Sequence, residues 1–348
     1  MAGPFIAFGL LLVTLPHHWR ARNLSTLSII AWLSLYNVTY GVNAVIWSDN
    51  TDTSAATSIW CDIATKIKIG ADVGLPGCSL CMARRLNRIA YGLDMNPRGW
   101  MYRALDIFLC WGLPFLIMGM HVIVQGHRFD IIQDLGCIPA VYVSWPSIFI
   151  LDLSALIPAV LGLIYCSLAL IRLYRRRIAF RRMLAVAADE SRTLTLPRYY
   201  RLMAMTFFLG AWNTALVSLS TVNEFTGGTG GLEPWTSWGA VHADFGYIGQ
   251  FPLDKIETGA LFCAFFLWWA VPFSGLAFFL FFGVGPEAMK DYRLNAAWVG
   301  RVVFRRASPS PPEPPSTPSD ATFVDSFTTD GEKLSRFPTP ALVWEAPV

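Results

Sequence analysis

Seven stretches of the chain read as bilayer spans, where about 20 residues of helix cross a hydrocarbon core of about 30 Å, the first of them being short for a full crossing. They run Ala2 to Leu15, Leu24 to Trp47, Ile63 to Met82, Ala104 to Val124, Ser147 to Leu170, Leu202 to Val222 and Thr258 to Val284, each bounded by charged or turn residues. The pattern predicts an all-α membrane protein built as a seven-transmembrane helix bundle. Pro76, Pro114, Pro158 and Pro272 fall inside these runs, where each removes a helix hydrogen bond and can bend the rod. No cleavable leader is expected, because the first run has no basic flank before it and Pro16, His17, His18 and Arg20 after it.

Composition agrees with a lipid environment: 54% of the 348 residues are hydrophobic, 15% are charged and the mean hydropathy is +0.44, too apolar for an ordinary soluble domain of this size. The placement of charge then fixes an orientation. Of the 27 Lys and Arg residues, only Arg128 and Lys255 fall in the even-numbered loops and only Lys66 and Lys68 inside a run. All others lie in the odd-numbered loops or the tail, and basic loops stay on the cytoplasmic side. The N-terminus is therefore expected outside and the C-terminus in the cytoplasm. Residues 1–293 form the expected bundle and residues 294–348 a cytoplasmic tail. From about residue 307 the tail is rich in Pro, Ser and Thr, a composition that cannot build a core.

Charge inside the third run is the clearest chemical signal. Lys66, Lys68 and Asp72 sit there, and an intramembrane charge usually faces a bundle interior and has a partner. Lys68 and Asp72 are four apart and share a helix face. The alternative for the two lysines is that they snorkel to the headgroups. Cys61 and Cys137 both fall on the oxidising side under this topology, available to form a disulfide or to remain as free thiols. The fifth loop, with nine arginines from Arg172 to Arg201, reads either as a strip for anionic lipid or as a docking surface for a cytoplasmic protein. A small-molecule or ion-coupled transporter using Lys68 and Asp72 is the alternative from another class. No catalytic constellation, metal motif, cofactor motif or nucleic-acid signal is present. The last run contains no lysine for a retinal Schiff base.

Several motifs, taken in order, narrow the field: Trp19-Arg20-Ala21-Arg22-Asn23, Trp60-Cys61-Asp62-Ile63, Gln125-Gly126-His127-Arg128-Phe129-Asp130-Ile131, Gly136-Cys137, Arg198-Tyr199-Tyr200-Arg201-Leu202-Met203 and Glu257-Thr258-Gly259-Ala260-Leu261-Phe262. As a set they resemble the fungal mating-type pheromone receptors of the a-factor-receptor type, within the class D G-protein-coupled receptors. The resemblance covers about Pro16 to Arg293, with a first run shorter than the family pattern. It implies a plasma-membrane, non-enzymatic receptor for an isoprenylated peptide pheromone, with a heterotrimeric G protein, membrane lipids and, as one option, a second copy of itself as partners. By position in the outer half, the expected ligand-binding residues are Lys66, Lys68, Asp72, His127, Arg128, Asp130, Asp254 and Glu257. The expected G-protein-coupling residues are Arg84, Arg85, Arg181, Arg182, Tyr199, Tyr200 and Arg201.

Overall fold

The structure is a computed structural model that describes residues 2–20, 23–92, 99–175, 196–226 and 232–284. All of them belong to the first of two compact units, Met1–Ala297. Helices α1 (Ala2–Arg20), α2 (Leu24–Ile46) and α3 (Ala55–Ala90) come first. The fourth rod, Trp100–Val124, is composite: α4 (Trp100–Ile107), a π-helical turn (Phe108–Gly112), α5 (Leu113–Met120) and a 3-10 turn (His121–Val124). The fifth, Trp145–Arg175, joins α6 (Trp145–Ser147), a second π-helical turn (Ile148–Asp152) and α7 (Leu153–Arg175). Then follow α8 (Leu196–Thr226), a short α9 (Trp238–Val241) and α10 (Thr258–Phe282).

Among the described residues, five rods are long and apolar enough to cross a membrane: Leu24–Ile46, Trp100–Val124, Trp145–Arg175, Tyr199–Val222 and Thr258–Phe282. Their outward faces are apolar too. Ile157, Val160, Leu161, Ile164 and Leu168 form an exposed stripe on α7, and Phe262, Phe266, Trp269, Phe273, Leu276 and Leu280 form one on α10. Contiguous apolar surface of that kind marks a protein that meets lipid or a partner rather than water. Helix α1 runs through Pro16 to Arg20, and α3 runs well beyond both ends of its apolar stretch.

Helix α3 is the central post, packing against α2, α5, α7 and α8. Its small residues permit the close approach that membrane helices use in place of a hydrophobic driving force. A Cβ on Gly77 would collide with the Leu109 carbonyl oxygen, and one on Gly74 would lie 2.6 Å from the Trp32 indole nitrogen. On the facing side α2 buries Ile29, Leu33, Tyr36, Tyr40 and Ala44, a three-and-four spacing that places them along one face. Pro114 has no N–H to bond the Cys110 carbonyl one turn back. The Trp32 Nε1 donates to that oxygen instead, at 2.9 Å.

The described structure is mostly helical, as expected, and adds one small sheet that the expectation did not include. Strands β1 (Phe129–Ile132), β2 (Gly136–Ile138) and β3 (Ile248–Phe251) form a sheet in the order β2-β1-β3. Strands β1 and β2 are antiparallel, with Ile131 opposite Cys137, whereas β1 and β3 are parallel, with Phe129 opposite Ile248. Strands of three or four residues carry too little alternation to be read from sequence, and the parallel pair joins segments remote in the chain. Gly136, at φ +86°, closes the hairpin against Asn43, whose own Cβ leaves no room for another side chain there.

Candidate functional site

Beneath the sheet lies a cavity of about 460 Å³ lined by α2, α3, the β hairpin, the fifth rod, α8 and α10. Its walls are largely apolar, with Leu33, Ile69, Val73, Leu151, Val217, Leu267 and Val271 among them. The polar exceptions are concentrated. Lys68 Nζ donates to Asp72 Oδ2 at 2.9 Å, as the spacing of four along α3 allows. The other oxygen, Oδ1, accepts from the Tyr36 hydroxyl at 2.8 Å, and Lys68 also reaches that hydroxyl at 3.4 Å. Tyr40 extends the chain with a 3.4 Å contact to Tyr36.

Lys66 serves a different place. It is two residues from Lys68, which on a helix turns it toward another neighbour. Its Nζ lies 2.7 Å from His121 Nδ1 and 3.0 Å from Gln125 Oε1. An ammonium has only donors, so His121 Nδ1 accepts, and its Nε2–H donates to the Ala140 carbonyl at 3.1 Å. Gln125 Nε2 in turn donates to the Arg128 carbonyl at 2.6 Å. Lys66 therefore holds the base of the capping structure rather than the cavity.

The cap itself is stitched by the next three expected residues. Arg128 grips Asp62 with two bonds, Nε to Oδ1 at 3.0 Å and an η nitrogen to Oδ2 at 2.6 Å. His127 Nε2 lies 2.7 Å from Asp130 Oδ1, and that hydrogen bond holds the imidazole above the usual histidine range. Cys61 and Cys137 are joined as a disulfide with Cα atoms 5.4 Å apart, tying β2 to α3. Around the bridge pack Trp47, Ala64, Phe129 and Ile131. Asp254, in a 3-10 turn, and Glu257, just before α10, flank Ile256 on the cavity wall. Among the described residues neither carboxylate has a side-chain partner.

Several groups escaped the sequence reading. Tyr36, Tyr40 and Trp268 line the cavity and are aromatic residues in apolar runs, with no signal to distinguish them from packing. Asn213 also lines it, and its Nδ2 and the Trp268 Nε1 are buried with no hydrogen-bond partner among the described residues. Asp152 on the fifth rod lines the wall and accepts a hydrogen bond from Thr221 Oγ1 at 2.6 Å. Asp152 did carry a signal: it is an acid inside an apolar run, the same criterion that singled out Asp72.

At the far end of α3 the arrangement is different. Arg84 lies 3.5 Å from Asp106 and covers the Tyr102 ring at 4.8 Å, while Arg85 reaches Asn23 Oδ1 at 3.3 Å. Tyr199 is fully buried and donates to the Leu86 carbonyl at 3.0 Å, bridging α8 to α3. Tyr200 is exposed, and Arg201 follows it on α8. Arg181 and Arg182 lie outside the described residues.

Apolar rods, a lipid-compatible exterior and a ligand-sized cavity under a cross-linked cap define a helical membrane protein with an internal cavity. The chain belongs to the STE3 pheromone A receptor family, which it matches over residues 1–300. It is 40% identical to the "Pheromone B beta 1 receptor" of Schizophyllum commune over 310 residues, 88% of this chain and 56% of that protein. Over 290 residues it is 29% identical to "Pheromone receptor 2" of Mycosarcoma maydis, covering 81% of this chain and 80% of that one. It is 27% identical to the "Pheromone a factor receptor" of Saccharomyces cerevisiae over 207 residues, 59% of this chain and 43% of that one. The chain spans about half the length of the Schizophyllum relatives it matches. No solved structure matches it. The family is one of receptors, not of enzymes.

Proposed function

We propose that this chain is a seven-span G-protein-coupled receptor of the plasma membrane for an isoprenylated peptide pheromone, with its N-terminus outside and its C-terminus in the cytoplasm. The observation that carries this reading is the mixed cavity: an apolar chamber with the Lys68–Asp72–Tyr36 cluster on one wall, under a disulfide-anchored cap. Helices α1 and α3 complete the seven spans, α3 crossing with its charges turned to the bundle interior. The volume falls in the range of about 300–1,000 Å³ typical of small-ligand sites, room for an isoprenyl chain and the residues next to it but not for a long peptide. The apolar wall takes the isoprenyl group, and the polar cluster meets the peptide. Asp254, Glu257, His127, Arg128 and Asp130 add polar contacts to the peptide in this reading.

Ligand binding favours the state it binds better, and at the opposite end Arg84, Arg85, Arg181, Arg182, Tyr199, Tyr200 and Arg201 present that change to a heterotrimeric G protein. The test is nucleotide exchange on a co-expressed fungal Gα subunit, using prenylated and unprenylated peptides with the wild-type chain and Asp72→Asn. Exchange driven only by prenylated peptides, and lost in the variant, is the expected result. Silence across the panel with folded receptor at the cell surface would overturn the reading.

A further inference from the structure

Among the described residues lining the cavity, the charged side chains are Lys68, Asp72 and Asp152. Lys68 and Asp72 offset each other at 2.9 Å. Asp152 leaves the described wall with one negative charge in excess. Its side-chain partner is the hydroxyl of Thr221, and among the described residues no ammonium or guanidinium lies within ion-pair distance of it. A carboxylate has about four acceptor sites, of which that hydroxyl uses one. A charge in a membrane interior is costly and is kept where it meets a partner.

The backbone around Asp152 points the same way. It is the last residue of the π-helical turn Ile148–Asp152, and such one-turn widenings inside α-helices occur frequently at functional sites. The extra residue in the turn shifts the register of the helix beyond it. Leu151, Asp152 and Ala155 of this rod line the cavity, whereas Ile157, Val160 and Leu161 one turn later are exposed on the lipid-facing stripe. Across the gap, α8 contributes Asn213 and Ser220 to the same cavity and Thr221 to the carboxylate itself.

We propose that Asp152 is a cation-reading subsite: the ligand presents an ammonium or guanidinium group to this carboxylate while its apolar part fills the adjoining chamber. The proposal deepens the reading of the cavity as the ligand site and rests on it. Asp72 is the less suitable reader, because Lys68 and Tyr36 already occupy both of its oxygens. Selectivity follows from the same electrostatics. A neutral ligand leaves the Asp152 charge without a counterion, and an acidic one adds a like charge to it.

The probe is a matched pair, farnesylamine and farnesol, which share one apolar chain and differ in a cation at neutral pH. Each is titrated against the purified full chain in zwitterionic nanodiscs, with half-saturation read from thermal unfolding. The wild type is expected to prefer the amine by about tenfold to a hundredfold, the range of a hydrogen bond to a charged group. Asp152→Asn is expected to bind both alike and Asp152→Glu to keep the preference. Asp152→Ser is a second neutral variant should the first not fold. Equal binding by the wild type, a preference that survives in Asp152→Asn, or binding of neither compound would each overturn the proposal. The exchange assay with peptides decides the receptor reading separately, so failure of one is distinguishable from failure of the other.

Discussion

Tyr36 sits where one hydroxyl serves two charges, donating to Asp72 at 2.8 Å while Lys68 approaches it at 3.4 Å. Replacing it by Phe leaves one carboxylate oxygen without that donor, and a hydrogen bond to a charged group is worth about 1.5–3 kcal/mol. Tyr36→Phe is therefore expected to lower the unfolding temperature of the ligand-free protein in nanodiscs, and an unchanged value would show that water replaces the phenol. His127 supplies a pH dependence outside the membrane. Its hydrogen bond to Asp130 raises its pKa in the folded protein, so its contribution to stability is full below the ordinary value of about 6.5 and is lost as pH rises through the raised one. The wild type should unfold at a higher temperature at pH 6 than at pH 8.5, with that difference reduced in His127→Asn. At this scale the sequence was informative where partners are neighbours along one helix, as Lys68 and Asp72 are. It was silent where they are not: nothing in the spacing of Lys66 announces His121, 55 positions later, because tertiary pairing has no period.

The apolar runs foretell rods, and the rods are there, but their interruptions are set by packing that one-dimensional pattern does not hold. The fourth rod widens into a π turn at Phe108–Gly112 immediately before Pro114, and Trp32 from α2 reaches in to satisfy the Cys110 carbonyl. That exchange of an intrahelical donor for an indole predicts a coupled pair of mutations. Trp32→Phe strands the carbonyl and is expected to destabilise by about 1–3 kcal/mol. Pro114→Ala in the same background restores a backbone N–H and should recover part of the loss. Thermal unfolding of the two single variants and the double variant measures the coupling, and strict additivity would refute the substitution of one donor for the other. Helix α8 gives a second element-scale expectation, resting on the proposed coupling. Tyr199→Phe removes the bond that fastens α8 to the Leu86 carbonyl of α3, and basal nucleotide exchange should rise; no change would mean that the contact is structural only.

On the scale of the whole molecule, the sheet within the cap is what the sequence reading did not contain. Apolar periodicity registers elements that bury a face, whereas three strands of three or four residues are held by backbone pairing, an Asp62–Arg128 clamp and a disulfide. The disulfide closes a long loop, and removing such a bridge typically costs about 2–5 kcal/mol. Cys61→Ser with Cys137→Ser is expected to lower the unfolding temperature and to weaken binding of prenylated peptides, as read by the exchange assay; unaltered binding would show that the cap shapes no part of the site. The parallel pairing of β1 with β3 also sets an order of assembly. A ribosome making about 5–20 residues per second delivers β3 on the order of ten seconds after β2, with two further rods synthesised in between. The hairpin must therefore wait, with one edge unpaired, until the rods up to α8 have been synthesised. Such long-range parallel contacts form slowly. The newborn bundle thus passes through a stage in which the rods up to α8 have been made while the mouth of the cavity is still half built.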